Sequence, residues 1–84
     1  MYFISDKCYI VKTENDIVIT TPMTNKNLFL NEIASDIFCL IEMRHSKEDI
    51  VNHLFNQYSQ SKDIISESVD KIITLLLNEG VLSE

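Results

Sequence analysis

Leu28-Phe29-Leu30-Asn31-Glu32-Ile33-Ala34-Ser35-Asp36-Ile37-Phe38-Cys39-Leu40-Ile41 changes its apolar period part-way along. Up to Leu30 the period is two, so Leu28 and Leu30 fall on one face of an extended chain and Phe29 on the other. From Ile33 the period is helical: Ile33, Ile37, Leu40 and Ile41 form one stripe, with Ala34 and Phe38 beside it. Asn31 stands at the change, and its side-chain oxygen can accept a hydrogen bond from the unpaired N–H groups of a first helical turn. The run therefore predicts a strand that passes directly into an amphipathic helix.

Working upstream, Cys8-Tyr9-Ile10-Val11-Lys12-Thr13 and Ile17-Val18-Ile19-Thr20-Thr21 are rich in β-branched and aromatic residues. The polar run Glu14-Asn15-Asp16 between them predicts a hairpin. Pro22 ends the second strand, and Thr24-Asn25-Lys26 turns the chain into the third. Downstream, the first helix ends near Arg44, and Ser46 with Asp49 three residues on resembles a capping box that opens a second helix carrying Ile50, Leu54 and Phe55. Tyr58 closes that helix against the core. Ser59-Gln60-Ser61-Lys62 is a connection, with Ser61 or Asp63 as the cap of a third helix whose apolar positions are Ile65, Val69, Ile72, Ile73, Leu76 and Leu77. Gly80 falls where a left-handed exit residue is wanted, and Val81 and Leu82 pack back on the last turn. The expectation is one α+β domain over residues 1–84: a three-stranded antiparallel sheet (about 8–13, 17–21 and 27–30), then three helices (about 32–43, 47–58 and 63–78).

Composition narrows the function. A chain of 84 residues buries only roughly 60–65% of its unfolded surface, which favours a binding module over a free-standing enzyme. The formal charge of −6, with seven scattered basic residues, opposes a nucleic-acid partner. Runs such as Ile37–Ile41 are far shorter than the roughly 20 residues of a membrane span. The start Met1-Tyr2-Phe3-Ile4-Ser5-Asp6-Lys7 lacks the pattern of a secretory signal, so the expected location is the cytoplasm. Cys8 and Cys39 belong to no CxxC pair and read as buried thiols. His45 and His53 are eight residues apart without an HExxH pattern, so neither a metal nor any other cofactor is expected. No Cys–His nucleophile stands out, because the orienting motif and an oxyanion-stabilising glycine loop are missing. Glu48 and Asp49 are explained by the first turn of a helix. Met23 and Met43 fit an adaptable peptide surface or simple gap-filling equally well.

In this order of elements the run from Leu28 to Ile41 resembles the signature of the PqqD family. Ser46-Lys47-Glu48-Asp49-Ile50-Val51-Asn52-His53-Leu54 with Tyr58 is similar to that family's second helix, and Val69 through Gly80-Val81-Leu82 to its last helix and exit. Two departures stand out: Glu42-Met43-Arg44-His45 replaces the usual Asp-Gly between the first two helices, and the stretch from Tyr58 to Val69 is slightly long. The resemblance implies a winged-helix-like domain without catalysis. It also implies that the leader segment of a ribosomally made precursor peptide adds as a further antiparallel strand beside the third strand, with side chains entering a groove against the third helix.

On that resemblance the peptide-binding residues are expected to be Lys26, Asn27, Leu28, Phe29 and Leu30 with Ile65, Val69, Ile72 and Ile73, while Glu67 and Asp70 form an acidic rim. Leu28 is expected to carry an edge-strand N–H that a proline would remove. The partners implied are the leader peptide and a separate modifying enzyme or leader peptidase. A lasso-peptide setting comes first, and a radical S-adenosylmethionine enzyme of the pyrroloquinoline quinone type is the alternative. From another class, a winged-helix DNA-binding regulator is opposed by strands that precede all the helices and by helices without Arg/Lys clusters. The same edge strand allows a monomer or a weak, domain-swapped homodimer.

Overall fold

Backbone polar groups have to be paired inside a small core, and the polar turns of the N-terminal third let neighbouring strands do this locally. A computed structural model describes residues 2–14 and 16–84; Asn15 of the expected first turn lies outside them. The order is β1 (Phe3–Ile4), β2 (Tyr9–Lys12), β3 (Ile17–Thr20), β4 (Asn27–Leu30), α1 (Glu32–Glu42), α2 (Lys47–Gln57), α3 (Lys62–Asn78) and β5 (Leu82–Ser83). Strands β2, β3 and β4 form one antiparallel sheet in that order, with Ile10 and Leu28 both opposite Ile19, and Val11 and Phe29 both opposite Val18. Period two does the rest. Ile17, Ile19 and Leu30 are buried beneath the helices, while Tyr9, Val11 and Phe29 face outward and are exposed.

The turn between β3 and β4 is closed by side chains as well as backbone. Thr21 is buried, its hydroxyl accepts the Lys26 N–H at 3.0 Å, and it also meets the Thr24 hydroxyl at 2.9 Å. Each helix then opens on a cap. Asn31 accepts from the Ala34 N–H at 2.8 Å, Ser46 from Asp49 at 3.2 Å and Ser61 from Ile64 at 3.3 Å, each worth about 1 kcal/mol. Ser61, not Asp63, therefore starts the third helix. The apolar stripes meet in a single core in which Ile19, Ile37, Phe38, Ile50, Val69, Leu76 and Val81 are fully enclosed.

Two elements were not expected. Leu82–Ser83 leaves the last helix and pairs antiparallel with Phe3–Ile4, supported by the Ser5 N–H on the Val81 carbonyl at 2.8 Å. Leu82 still packs inward, at 4% exposure, so its burial matches the expectation while its pairing adds a second small sheet. Tyr58 caps the end of α2, and its hydroxyl donates to Asp36 on α1 at 2.5 Å. That bond to a carboxylate, ahead of burial, pushes the Tyr58 phenol up to about 12. No helix among the described residues is long and apolar enough to cross a membrane.

Candidate functional site: the open edge of the third long strand

β4 pairs with β3 on one side only. One hydrogen bond decides which of its backbone groups remain free: the Thr21 N–H donates to the Lys26 carbonyl at 2.8 Å. Bonded and non-bonded pairs alternate along an antiparallel ladder, so Leu28 and Leu30 turn their N–H and C=O groups toward Ile19 and Ile17. Asn27 and Phe29 turn theirs to the open edge. The expectation that Leu28 carries the free donor is thus corrected. Its side chain faces the core layer, and its backbone belongs to the existing sheet.

The second wall is α3. At one end the Lys26 ammonium reaches the Glu79 carboxylate at 3.4 Å. At the other, Ile33, just beyond β4, shares a shallow depression with Tyr58, Ile65 and Ser68. The chain direction of α3 is therefore opposite to that of β4. α3 packs closely on α2, α1 and β5, and β4 is not among its close partners. Leu28 and Ile72 are the half-buried apolar side chains of this stretch; Leu75, 40% exposed and about one turn on from Ile72, borders a shallow surface depression with Glu67, Asp70 and Lys71.

The expected site residues separate accordingly. Lys26, Asn27 and Phe29 are exposed, with the Phe29 ring 76% accessible on the outer face of the sheet. Leu30, Ile65, Val69 and Ile73 are core, where they fix the position of the two walls and offer almost no surface themselves. Asp70 pairs with Lys47 at the start of α2, and Glu67 with Lys71 one turn along α3 at 3.5 Å. The acid that stands at the rim beside β4 is Glu79. Leu75 and Glu79 went unnamed because spacing along a helix gives its faces but not which neighbour each face meets. Leu75 carries a signal after all, as an apolar residue outside the main stripe.

Elsewhere, a cleft of about 520 Å³ lies between the β2–β3 turn and α1, with Glu14, Asp16, Glu32 and Asp36 among its lining residues. Lys12 borders it and bonds Glu42, which holds its ammonium pKa above the ordinary value. Cys8 and Cys39 are free thiols and only half-buried, not enclosed as expected; partial burial still raises the Cys8 thiol, whose sulfur donates to the Ser5 carbonyl at 3.0 Å. His45 and His53 meet edge to face, with ring centres 4.9 Å apart. Among the described residues no three His, Cys, Asp or Glu side chains are placed to hold a metal ion.

The family model described as "Coenzyme PQQ synthesis protein D (PqqD)" matches residues 16–82. The chain belongs to the PqqD family. Two solved structures share the fold. "TbiB1 in Complex with the TbiA(beta) Leader Peptide" is 22% identical and superposes with a TM-score of 0.87 over 95% of this chain and 93% of that one. "Lasso peptide synthetase B1 complexed with the leader peptide" is 17% identical, with a TM-score of 0.88 over 99% and 98%. No curated protein matches the sequence. This PqqD-family chain thus has the expected α+β architecture, three antiparallel strands followed by three helices, with the β1–β5 ribbon added.

Proposed function

We propose that this PqqD-family domain is a recognition element that binds the leader segment of a ribosomally synthesised precursor peptide by strand addition to β4. It presents the peptide to a separate modifying enzyme or leader peptidase and has no catalytic role of its own. The observation that carries the reading is the open β4 edge. The N–H and C=O groups of Asn27 and Phe29 point away from β3, and such an edge recruits another strand unless it is covered. Leu28, Ile72 and Leu75 supply apolar contacts for alternate side chains of the peptide, and Lys26 and Glu79 mark one end of its path. Backbone pairing gives affinity that tolerates sequence change, and the side chains give selectivity.

Both structural neighbours are complexes with a leader peptide, one of them a lasso peptide synthetase B1, which supports the lasso-peptide setting. The family description favours a second setting, as leader-binding chaperone to a radical S-adenosylmethionine enzyme of the pyrroloquinoline quinone type. A DNA-binding role gains little from the structure, since the only Lys or Arg residues of α2 and α3 are Lys47, Lys62 and Lys71 and two of these pair with Asp70 and Glu67. The proposed domain is a single unit over residues 1–84, acting in the cytoplasm.

Calorimetric titration with the leader half of a precursor peptide encoded beside the gene tests the reading. Saturable one-to-one binding is expected. Phe29→Pro, which removes an edge N–H without touching the β3–β4 ladder, should abolish it, while Phe29→Ala should keep most of it. Binding that survives Phe29→Pro in a folded domain would rule out strand addition at this edge.

A further inference from the structure

The outer face of the β2–β3–β4 sheet is apolar, and among the described residues no helix covers it. Its two cross-strand rows are Val11–Val18–Phe29 and Tyr9–Thr20–Asn27. Tyr9 is 70% exposed, Phe29 76% and Val11 45%. An antiparallel sheet that faces water on one side ordinarily presents polar residues there, whereas here four of the six positions are aromatic or valine. Domains bury such faces against another layer. We propose that the missing layer is a second copy of this chain, packed sheet face to sheet face about a two-fold axis.

Charge placement favours this occupant. Residues 1–31 carry Asp6, Glu14 and Asp16 against Lys7, Lys12 and Lys26, so they balance, and the whole net charge of −6 falls on residues 32–84. Face-to-face pairing joins the two neutral halves and holds the two acidic helical layers apart, whereas pairing through the helices would oppose like charges. One polar pair in the face is already bonded, because the Thr20 hydroxyl donates to the Asn27 side-chain oxygen at 2.9 Å and is not left unpaired. Lys12 is turned to the other side of the sheet, where it bonds Glu42.

Area sets the strength. Two aromatics at these exposures and the valines offer roughly 300–450 Å² per copy, so an isologous pair buries roughly 600–900 Å² of apolar surface, below the range of tight complexes. The dimer is therefore weak and rapidly exchanging, and its two β4 edges stay open.

Sedimentation velocity of the free domain from about 10 μM to about 1 mM tests this without any peptide. The weight-average coefficient should climb from monomer toward dimer with a midpoint on the order of 100 μM. Tyr9→Lys and Val11→Lys, both on β2, should each move that midpoint at least about tenfold higher while circular dichroism and the melting temperature stay unchanged. A monomer across the whole range would overturn the proposal and leave the face to a different protein. A dimer indifferent to both substitutions would overturn it too and would place the contact at a strand edge.

Discussion

Helices α1 and α3 end in the same hydrogen-bonded turn, built from opposite materials. After α3 the Gly80 N–H bonds the Leu77 carbonyl at 3.2 Å and the Val81 N–H bonds Leu76 at 2.9 Å; after α1 Arg44 bonds Ile41 at 2.9 Å and His45 bonds Leu40 at 3.1 Å. Both are Schellman closures, which need a left-handed residue at the first position past the cap. Gly80 supplies it at φ 76°, and Arg44 adopts it at φ 66°, at a cost of roughly 1–2 kcal/mol for a residue with a Cβ. The residues just past the two turns differ as well. Val81 is fully buried against the core, whereas His45 is only half-buried beside the His53 ring. One exit is set by a glycine and an apolar anchor. The other holds by its hydrogen bonds, with the Arg44 guanidinium 6.0 Å from the centre of the Phe3 ring.

In that contrast the anchor matters most. Val81→Ala should cost about 2–3 kcal/mol, read by urea unfolding, since it empties a fully buried site in the core while leaving the backbone bonds of residue 81 to Leu76 and Ser5 in place. Gly80→Ala comes next. A Cβ there meets Pro22 Cγ at 3.5 Å and Met23 Sδ at 3.7 Å, ordinary contacts, so the loss should be the left-handed penalty alone, about 1–2 kcal/mol. A larger loss would mean that the close approach of the β3–β4 turn, and not backbone conformation, demands the glycine. Arg44→Gly should run the other way, stabilising by about 0.5–1 kcal/mol after the loss of the contact with Phe3. A destabilised variant would show that the guanidinium holds the α1 exit. His45→Ala should stay within about 0.5 kcal/mol, in contrast to Val81→Ala at the matching position.

The same pair shows what could be read from the sequence. Gly80 followed by two apolar residues announces its turn, because few other residues have reason to stand there. Arg44 announces nothing, since a left-handed conformation imposed on an ordinary residue leaves no mark in its chemistry, and Glu42-Met43-Arg44-His45 stands out only as a departure from the expected Asp-Gly. The three long strands and three helices were legible because alternation, helical spacing and capping residues are local. The pairing of Phe3–Ile4 with Leu82–Ser83 was not: each strand is two residues long, and their partnership is decided by the fold around them. At the candidate site, the alternation of Leu28, Phe29 and Leu30 was readable, but which backbone groups face the open edge depends on the phase of the β3–β4 ladder. In the same way, Asp70 and Glu79 look alike as acids on one helix until α2 claims the first and Lys26 the second.

The β1–β5 ribbon has a consequence for how the domain can be tethered. It sets Phe3 opposite Ser83, so a protein fused at either end departs from the same corner, and a short Gly/Ser bridge could join the ends for circular permutation. Gly80, just before β5, lies against Pro22 and Met23, close to where a peptide antiparallel to β4 would run out past Lys26 toward its C-terminus. An enzyme attached at that corner by a short flexible linker would meet the emerging peptide at an effective concentration of about a millimolar, so that covalent attachment could replace much of the affinity a separate partner would need.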